Sequence, residues 1–174
     1  MPDTLKDPGR RAFLDRFRSG TDVQSRPELS AIRPPWAVQF DANCTGCADC
    51  VPACPEGIIA LDGANLPAID FNKGECSFCE ACADACSENV FDRSVEPAWH
   101  LDITVAKNCF AEQGIYCRSC GDICPERAIR IPPQLGGRAR VIIDSDTCTR
   151  CGACQGACPA DAILITPHKE YAHE

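Results

Sequence analysis

Sixteen cysteines set in four groups of four constrain this 174-residue chain more than anything else in it. The groups are Cys44, Cys47, Cys50 and Cys54; Cys76, Cys79, Cys82 and Cys86; Cys109, Cys117, Cys120 and Cys124; and Cys148, Cys151, Cys154 and Cys158. Three of them read C-x2-C-x2-C-x3-C, and the third opens with a wider gap, from Cys109 to Cys117. Each group packs four thiols into 11 to 16 residues, whereas a disulfide framework scatters its cysteines. Two-residue gaps let one loop wrap three corners of a [4Fe-4S] cube while backbone N–H groups point at the sulfurs. Zinc sites instead join two C-x2-C knuckles across a longer loop. All sixteen cysteines are therefore expected to be the ligands of four [4Fe-4S] clusters. The wide third quartet leaves open whether its site holds an intact cube or a three-iron centre.

In two-cluster bacterial ferredoxins the fourth cysteine of each run ligates the other cluster, so every run implies a partner run. Pairing the first quartet with the second and the third with the fourth predicts four ligand sets. They are Cys44, Cys47, Cys50 with Cys86; Cys76, Cys79, Cys82 with Cys54; Cys109, Cys117, Cys120 with Cys158; and Cys148, Cys151, Cys154 with Cys124. A nested pairing, one with four and two with three, is the alternative. Proline follows the fourth cysteine at Pro55, Pro125 and Pro159, where its fixed φ suits a chain leaving the site, and Ser87 stands in its place in the second quartet.

The quartets recur every 32 to 39 residues, and their flanks recur with them. Short β-prone runs at 37–40, 68–71, 101–105 and 141–143 lead into the cysteine loops, and others follow at 58–61, 90–91, 128–131 and 162–165. The third-to-fourth-cysteine stretch has room for about one helical turn. Asp62-Gly63-Ala64-Asn65 and Pro132-Pro133-Gln134-Leu135-Gly136-Gly137 read as hairpin turns. Trp36 after Pro34-Pro35 and Trp99 after Pro97-Ala98 open two similar halves and are expected to pack in the core. The predicted fold is α+β: tandem 2[4Fe-4S] ferredoxin-like modules, short strands and helices wrapped around clusters. Its expected divisions are a basic tail with a short amphipathic helix (1–35), a first two-cluster half (36–95) and a second (96–174).

Aromatic residues make up 6% of the chain, and the 45% hydrophobic content includes every cysteine, so the organic core is thin and metal centres are expected to help hold the fold. Residues 1–35 hold 7 Lys/Arg against 5 Asp/Glu, while the remainder holds 10 against 20. The cysteine-bearing body is thus acidic, and an oxidised cube with four thiolates adds a formal charge of about −2, which makes nucleic acid a poor partner. No run of 18 apolar residues offers a transmembrane helix. Arg10-Arg11-Ala12-Phe13-Leu14 is similar to a twin-arginine export signal, but Asp15-Arg16-Phe17-Arg18-Ser19-Gly20 stands where an apolar stretch should follow, so a cytoplasmic location is expected. Residues 10–18 place Phe13, Leu14 and Phe17 on one helical face, read either as a turn in a loose tail or as a partner-docking helix. His100, His168 and His173 fall outside any ligand spacing and are expected to be solvated or structural. No phosphate loop, Ser-His-Asp set or paired carboxylates stand out. The chain reads as an electron-transfer or maturation accessory rather than an enzyme, with one-electron chemistry carried by the cofactor.

Ile32-Arg33-Pro34-Pro35-Trp36, Glu75-Cys76-Ser77-Phe78-Cys79 with Ala81-Cys82 and Cys86, the Ala98-Trp99 pair, the near-terminal Arg10-Arg11 and the widened Cys109 to Cys117 gap together resemble the NapF family, ferredoxin-type proteins of periplasmic nitrate reductase systems. The resemblance covers almost the whole chain, and the widened third quartet is its most discriminating element. It implies a cytoplasmic four-cluster protein that binds the catalytic subunit of the nitrate reductase and assists its maturation, as iron-sulfur cluster loading, before export. The alternative is a relay ferredoxin that passes electrons to a terminal reductase.

Overall fold

A computed structural model describes residues 32–168 of the chain. The expected helix at 10–18, the Arg10-Arg11 pair and His173 lie outside the described residues. Five short helices and six short strands follow the cysteine repeat: α1 (Phe40–Asn43), α2 (Cys50–Ala53), β1 (Ile59–Leu61), β2 (Pro67–Ile69), α3 (Ala81–Asp84), β3 (Leu101–Val105), α4 (Ser119–Ile123), β4 (Ile129–Arg130), β5 (Ile142–Ile143), α5 (Ala153–Gly156) and β6 (Ile163–Pro167). Helices α2 to α5 each begin at or just before the third cysteine of a quartet and stop before the fourth, which gives each the single turn that the three-residue gap allows.

The strands pair as antiparallel ribbons. Between β1 and β2, Ile59 faces Ile69 and Leu61 faces Pro67. The turn joining them is built by Asp62, whose carboxylate accepts hydrogen bonds from the backbone N–H groups of Ala64 (2.9 Å) and Leu66 (3.0 Å), with Asn65 in the left-handed region at φ 59°. Arg33 ties this turn down through an ion pair with Asp62 at 2.7 Å, and its guanidinium lies 4.4 Å over the Phe40 ring. The second hairpin, β4 with β5, sets Ile129 opposite Ile143.

The two ends of the second half meet as well, β3 pairing with β6 so that Ile103 faces Ile165 and Val105 faces Ile163. Ile163 and Ile165 are buried while Leu164 between them is exposed, as a ribbon with one covered face requires. The first half has only a remnant of this ribbon. Gln39 N–H donates to the Val90 carbonyl at 3.2 Å and Asp92 N–H to the Trp36 carbonyl at 2.9 Å, but the strands expected at 37–40 and 90–91 do not form. Two local causes are visible. Trp36 follows two prolines and sits at φ 62°, and from Phe40 the chain turns helical, closed by Cys44 N–H to the Phe40 carbonyl. The exit of the second quartet also differs: after the other three, a left-handed residue (Gly57, Arg127 or Asp161) closes a turn back to the cysteine carbonyl at 3.1 to 3.2 Å. Each of those turns contains the proline that Ser87 replaces.

The core runs from one half into the other. Ile58, Ile59, Ile69, Phe71, Trp99, Leu101, Val141, Ile163 and Ile165 are buried, and the thiols of Cys50, Cys82, Cys109, Cys120 and Cys154 belong to the same packed region. Trp99 packs edge-on against Phe71 and Phe78, with centroids 5.6 and 5.5 Å apart, and its indole N–H donates to the Arg33 carbonyl at 2.9 Å. Trp36 is less buried and lies edge-on to Phe78. His168 is held by Asp102 at 2.8 Å.

Candidate cluster sites

Each quartet contributes three thiols to one place and one thiol to another. Site A is a recess lined by Cys44, Cys47, Cys50 and Cys86, with Phe40 and Val90 among its apolar walls. Site B is lined by Cys54, Cys76, Cys79 and Cys82 between Ile59, Ile69 and Phe78. Site D is lined by Cys124, Cys148, Cys151 and Cys154 between Ile103, Ile129 and Ile143. The fourth group, site C, surrounds Cys120, on whose thiol Cys158, Cys109 and Cys117 act electrostatically. These are the sets that pair one with two and three with four.

Short helices make this exchange. Helix α2 starts at Cys50 in site A and hands the chain to Cys54 in site B, while α3 carries Cys82 in site B and leads to Cys86 in site A. Helices α4 and α5 do the same for Cys120 with Cys124 and for Cys154 with Cys158.

The loops in front of the helices curl their backbone inward. Residues just before and after the second cysteine are left-handed in three quartets: Gly46 and Ala48, Phe78 and Glu80, Arg150 and Gly152, at φ between 54° and 87°. Alternating right- and left-handed residues turn successive N–H groups toward one concavity, which suits an anion. N–H groups also reach the sulfurs directly, from Phe78 to Cys76 at 3.4 Å and from Ala162 to Cys158 at 3.2 Å.

The widened third quartet keeps its first cysteine in place. The inserted residues close on themselves as a single turn, with Gln113 N–H donating to the Cys109 carbonyl at 3.1 Å and Ile115 N–H to the Phe110 carbonyl at 2.9 Å, and the turn ends at Gly114, φ 86°. Cys109 stays buried beside Cys120.

Left as thiols, Cys50, Cys76, Cys82, Cys120, Cys148 and Cys154 hold their protons tightly. Burial, and then the charges of Cys158, Cys109 and Cys117, pushes Cys120 up to about 11; burial, Cys148, Cys151 and Cys120 push Cys154 up to about 12. Burial also takes Cys76 to about 12 and Cys50 and Cys82 to about 11, against the easing effect of backbone N–H groups. Four crowded thiols, with one or two in each site pushed up in this way, are a poor anionic site and a good metal site, because iron supplies the positive charge that the protein withholds. The thiols stand around a volume rather than at a point, with soft sulfur on its corners and apolar walls between, which fits a four-iron cube with volume of its own.

Some contributors carry no signal in the cysteine spacing. Arg150 donates from Nε to the Leu101 carbonyl and from Nη1 to the Cys148 carbonyl, both at 3.1 Å, and its charge and backbone N–H oppose the rise that burial imposes on the Cys148 thiol. Gly152 occupies the position held by Ala48 and Glu80 in the first two quartets, and a Cβ there would enter the ring of Phe71. Among the described residues no helix is long and apolar enough to cross a membrane.

Comparison with known proteins points to the same cofactor. Residues 43–90 and 115–162 match the model of the 4Fe-4S dicluster domain, so Cys109 lies ahead of the second matched segment. The chain is 38% identical over 151 residues to the ferredoxin-type protein NapF of Escherichia coli K12, covering 85% of this chain and 90% of that one. It is 36% identical over 173 residues to NapF of Haemophilus influenzae, covering 96% and 98%. It is also 35% identical to the methylamine utilization ferredoxin-type protein MauM of Paracoccus denitrificans, covering 86% and 75%. Two dicluster domains in tandem carry four [4Fe-4S] clusters, and the chain belongs to the NapF family of ferredoxin-type proteins.

Proposed function

We propose that this chain is a cytoplasmic iron-sulfur accessory that binds the catalytic subunit of a periplasmic nitrate reductase and assists its maturation, as iron-sulfur cluster loading, before export. The likeness to NapF proteins over nearly the full length of both chains carries this reading. In it the four ligand sets are those of sites A to D, residues 36–95 hold A and B, residues 96–174 hold C and D, and the basic segment before Trp36 is a separate tail. Cysteine loops with inward N–H groups hold and orient the clusters, apolar walls such as Ile59, Ile69 and Ile143 limit access of water, and the clusters supply one-electron chemistry.

Anaerobic pull-down of the tagged chain from cytoplasm tests this reading. The catalytic precursor is expected among the captured proteins, and in a strain lacking the chain that precursor is expected to accumulate without its own cluster. A catalytic subunit that matures fully in that strain overturns the reading.

A relay role is favoured by a different observation. Within each half two sites share two helices, an arrangement that suits passing electrons, and "ferredoxin-type" is common to the NapF and MauM relatives. A relay predicts that deletion stops nitrate-dependent electron flow even when mature reductase is supplied. Persistence of that flow excludes it.

A further inference from the structure

We infer that the four sites form one linear series, A–B–D–C, in which the halves exchange electrons between sites B and D across the hydrogen bond from Cys76 to Cys151. This rests on the ligand sets proposed above. The backbone N–H of Cys76, in site B, donates to the carbonyl of Cys151, in site D, at 2.8 Å. The path from one thiol to the other runs through the Cβ, Cα and N of Cys76, over that bond, and through the C, Cα and Cβ of Cys151. No third residue is interposed.

Independent packing presses the same two sites together. The Phe71 ring, on the chain entering the second quartet, lies against Gly152, the residue after Cys151, so closely that any side chain there would overlap it. A Cβ on Gly156, two residues beyond Cys154, would come 2.9 Å from the Phe71 carbonyl. Phe78, a wall of site B, packs on Trp99 of the second half, and two residues on, the Leu101 carbonyl receives Arg150 from the loop of site D. Within the halves, α2 and α3 link A to B and α4 and α5 link D to C, which leaves A and C as the outer members.

In the inter-half step one electron leaves the reduced cluster at one site, oxidising it by one, and reduces the cluster at the other by one. No bond is made or broken. Dithionite serves as the one-electron donor in the test.

Two double variants isolate the pairs. Cys47→Ala with Cys117→Ala retains B and D, and Cys79→Ala with Cys151→Ala retains A and C; each is expected to hold about 8 iron atoms. After dithionite reduction the B and D protein should give an electron paramagnetic resonance spectrum broadened by spin–spin interaction, and the A and C protein two isolated signals. Coupling in the A and C protein, or none in the B and D protein, overturns the series. Where a variant loses all its iron, anomalous diffraction at the iron edge from the four-cluster wild-type protein decides: the closest pair of clusters between the halves must be those bound by the Cys76 and Cys148 sets, and any other closest pair refutes the order. The same map shows which cysteines touch which cluster, so an error in the ligand sets is seen separately from an error in the order.

Discussion

The ring of Phe71 occupies the space that a side chain on Gly152 would need, so the two halves can close on each other only because that residue is glycine. Gly152 also sits at φ 87°, where an L side chain is strained. Gly152→Ala is expected to cost about 2–4 kcal/mol, roughly 1 from the left-handed backbone and the rest from overpacking. Gly57→Ala is the control: Gly57 has φ 63° but nothing near its missing Cβ, so only about 1 kcal/mol should be lost. Denaturant midpoints of the anaerobic proteins, followed by the visible absorbance of the clusters, compare the two.

Exchange of fourth cysteines gives a prediction that spacing alone does not. Cys86→Ala should remove the cluster wrapped by the first quartet, and Cys54→Ala the one wrapped by the second. Each protein is expected to keep about 12 iron atoms. Combining Cys86→Ala with Cys47→Ala, which affects the same site, should take no further iron. A combined loss of about 8 atoms would instead favour the nested pairing.

Arg150 should raise the reduction potential of the cluster beside it. Its guanidinium is fixed by two carbonyls next to Cys148, and a positive charge there favours the electron-rich state. Arg150→Met is expected to shift one of the four potentials downward by on the order of tens of millivolts. A redox titration monitored by electron paramagnetic resonance reads the shift, and Arg150→Lys should restore part of it.

Asp62 links the first hairpin to Arg33, and its effect has a defined pH sign. Burial pushes the carboxyl up, but the Leu66 N–H, the Arg33 hydrogen bond, the Ala64 N–H and the Arg33 charge outweigh it and hold the group below its ordinary value of 3.8. Because the folded-state pKa is depressed, the stabilisation is present above pH 3.8 and is lost as pH falls through the lower folded value. Asp62→Ala is therefore expected to cost about 1–2 kcal/mol from lost hydrogen bonds, with the same difference between the two proteins' denaturant midpoints at pH 6 and pH 8.

The cysteine spacing made the cofactor, the single helical turns and both hairpins legible, because ligand geometry and turn chemistry are local. The first-half ribbon does not form at 37–40, where β-prone side chains yield to two preceding prolines and a left-handed Trp36. Ser87 stands at the one quartet exit that lacks the left-handed turn of the others, a difference the residue type alone does not show. The gap between Cys109 and Cys117 left the third site open; its closure depends on backbone hydrogen bonds at residues 113–115 that no residue pattern announces. Arg150 and the Gly152–Phe71 contact were invisible for a further reason: their roles come from the meeting of two halves distant in sequence.

Iron, zinc and acid-labile sulfide measured on the anaerobically purified chain decide whether sixteen thiols in four exchanged sets hold four [4Fe-4S] clusters. Brown protein with about 16 iron and 16 sulfide per chain is expected. A value near 15 iron would instead mark one three-iron site, and colourless protein rich in zinc would overturn the assignment.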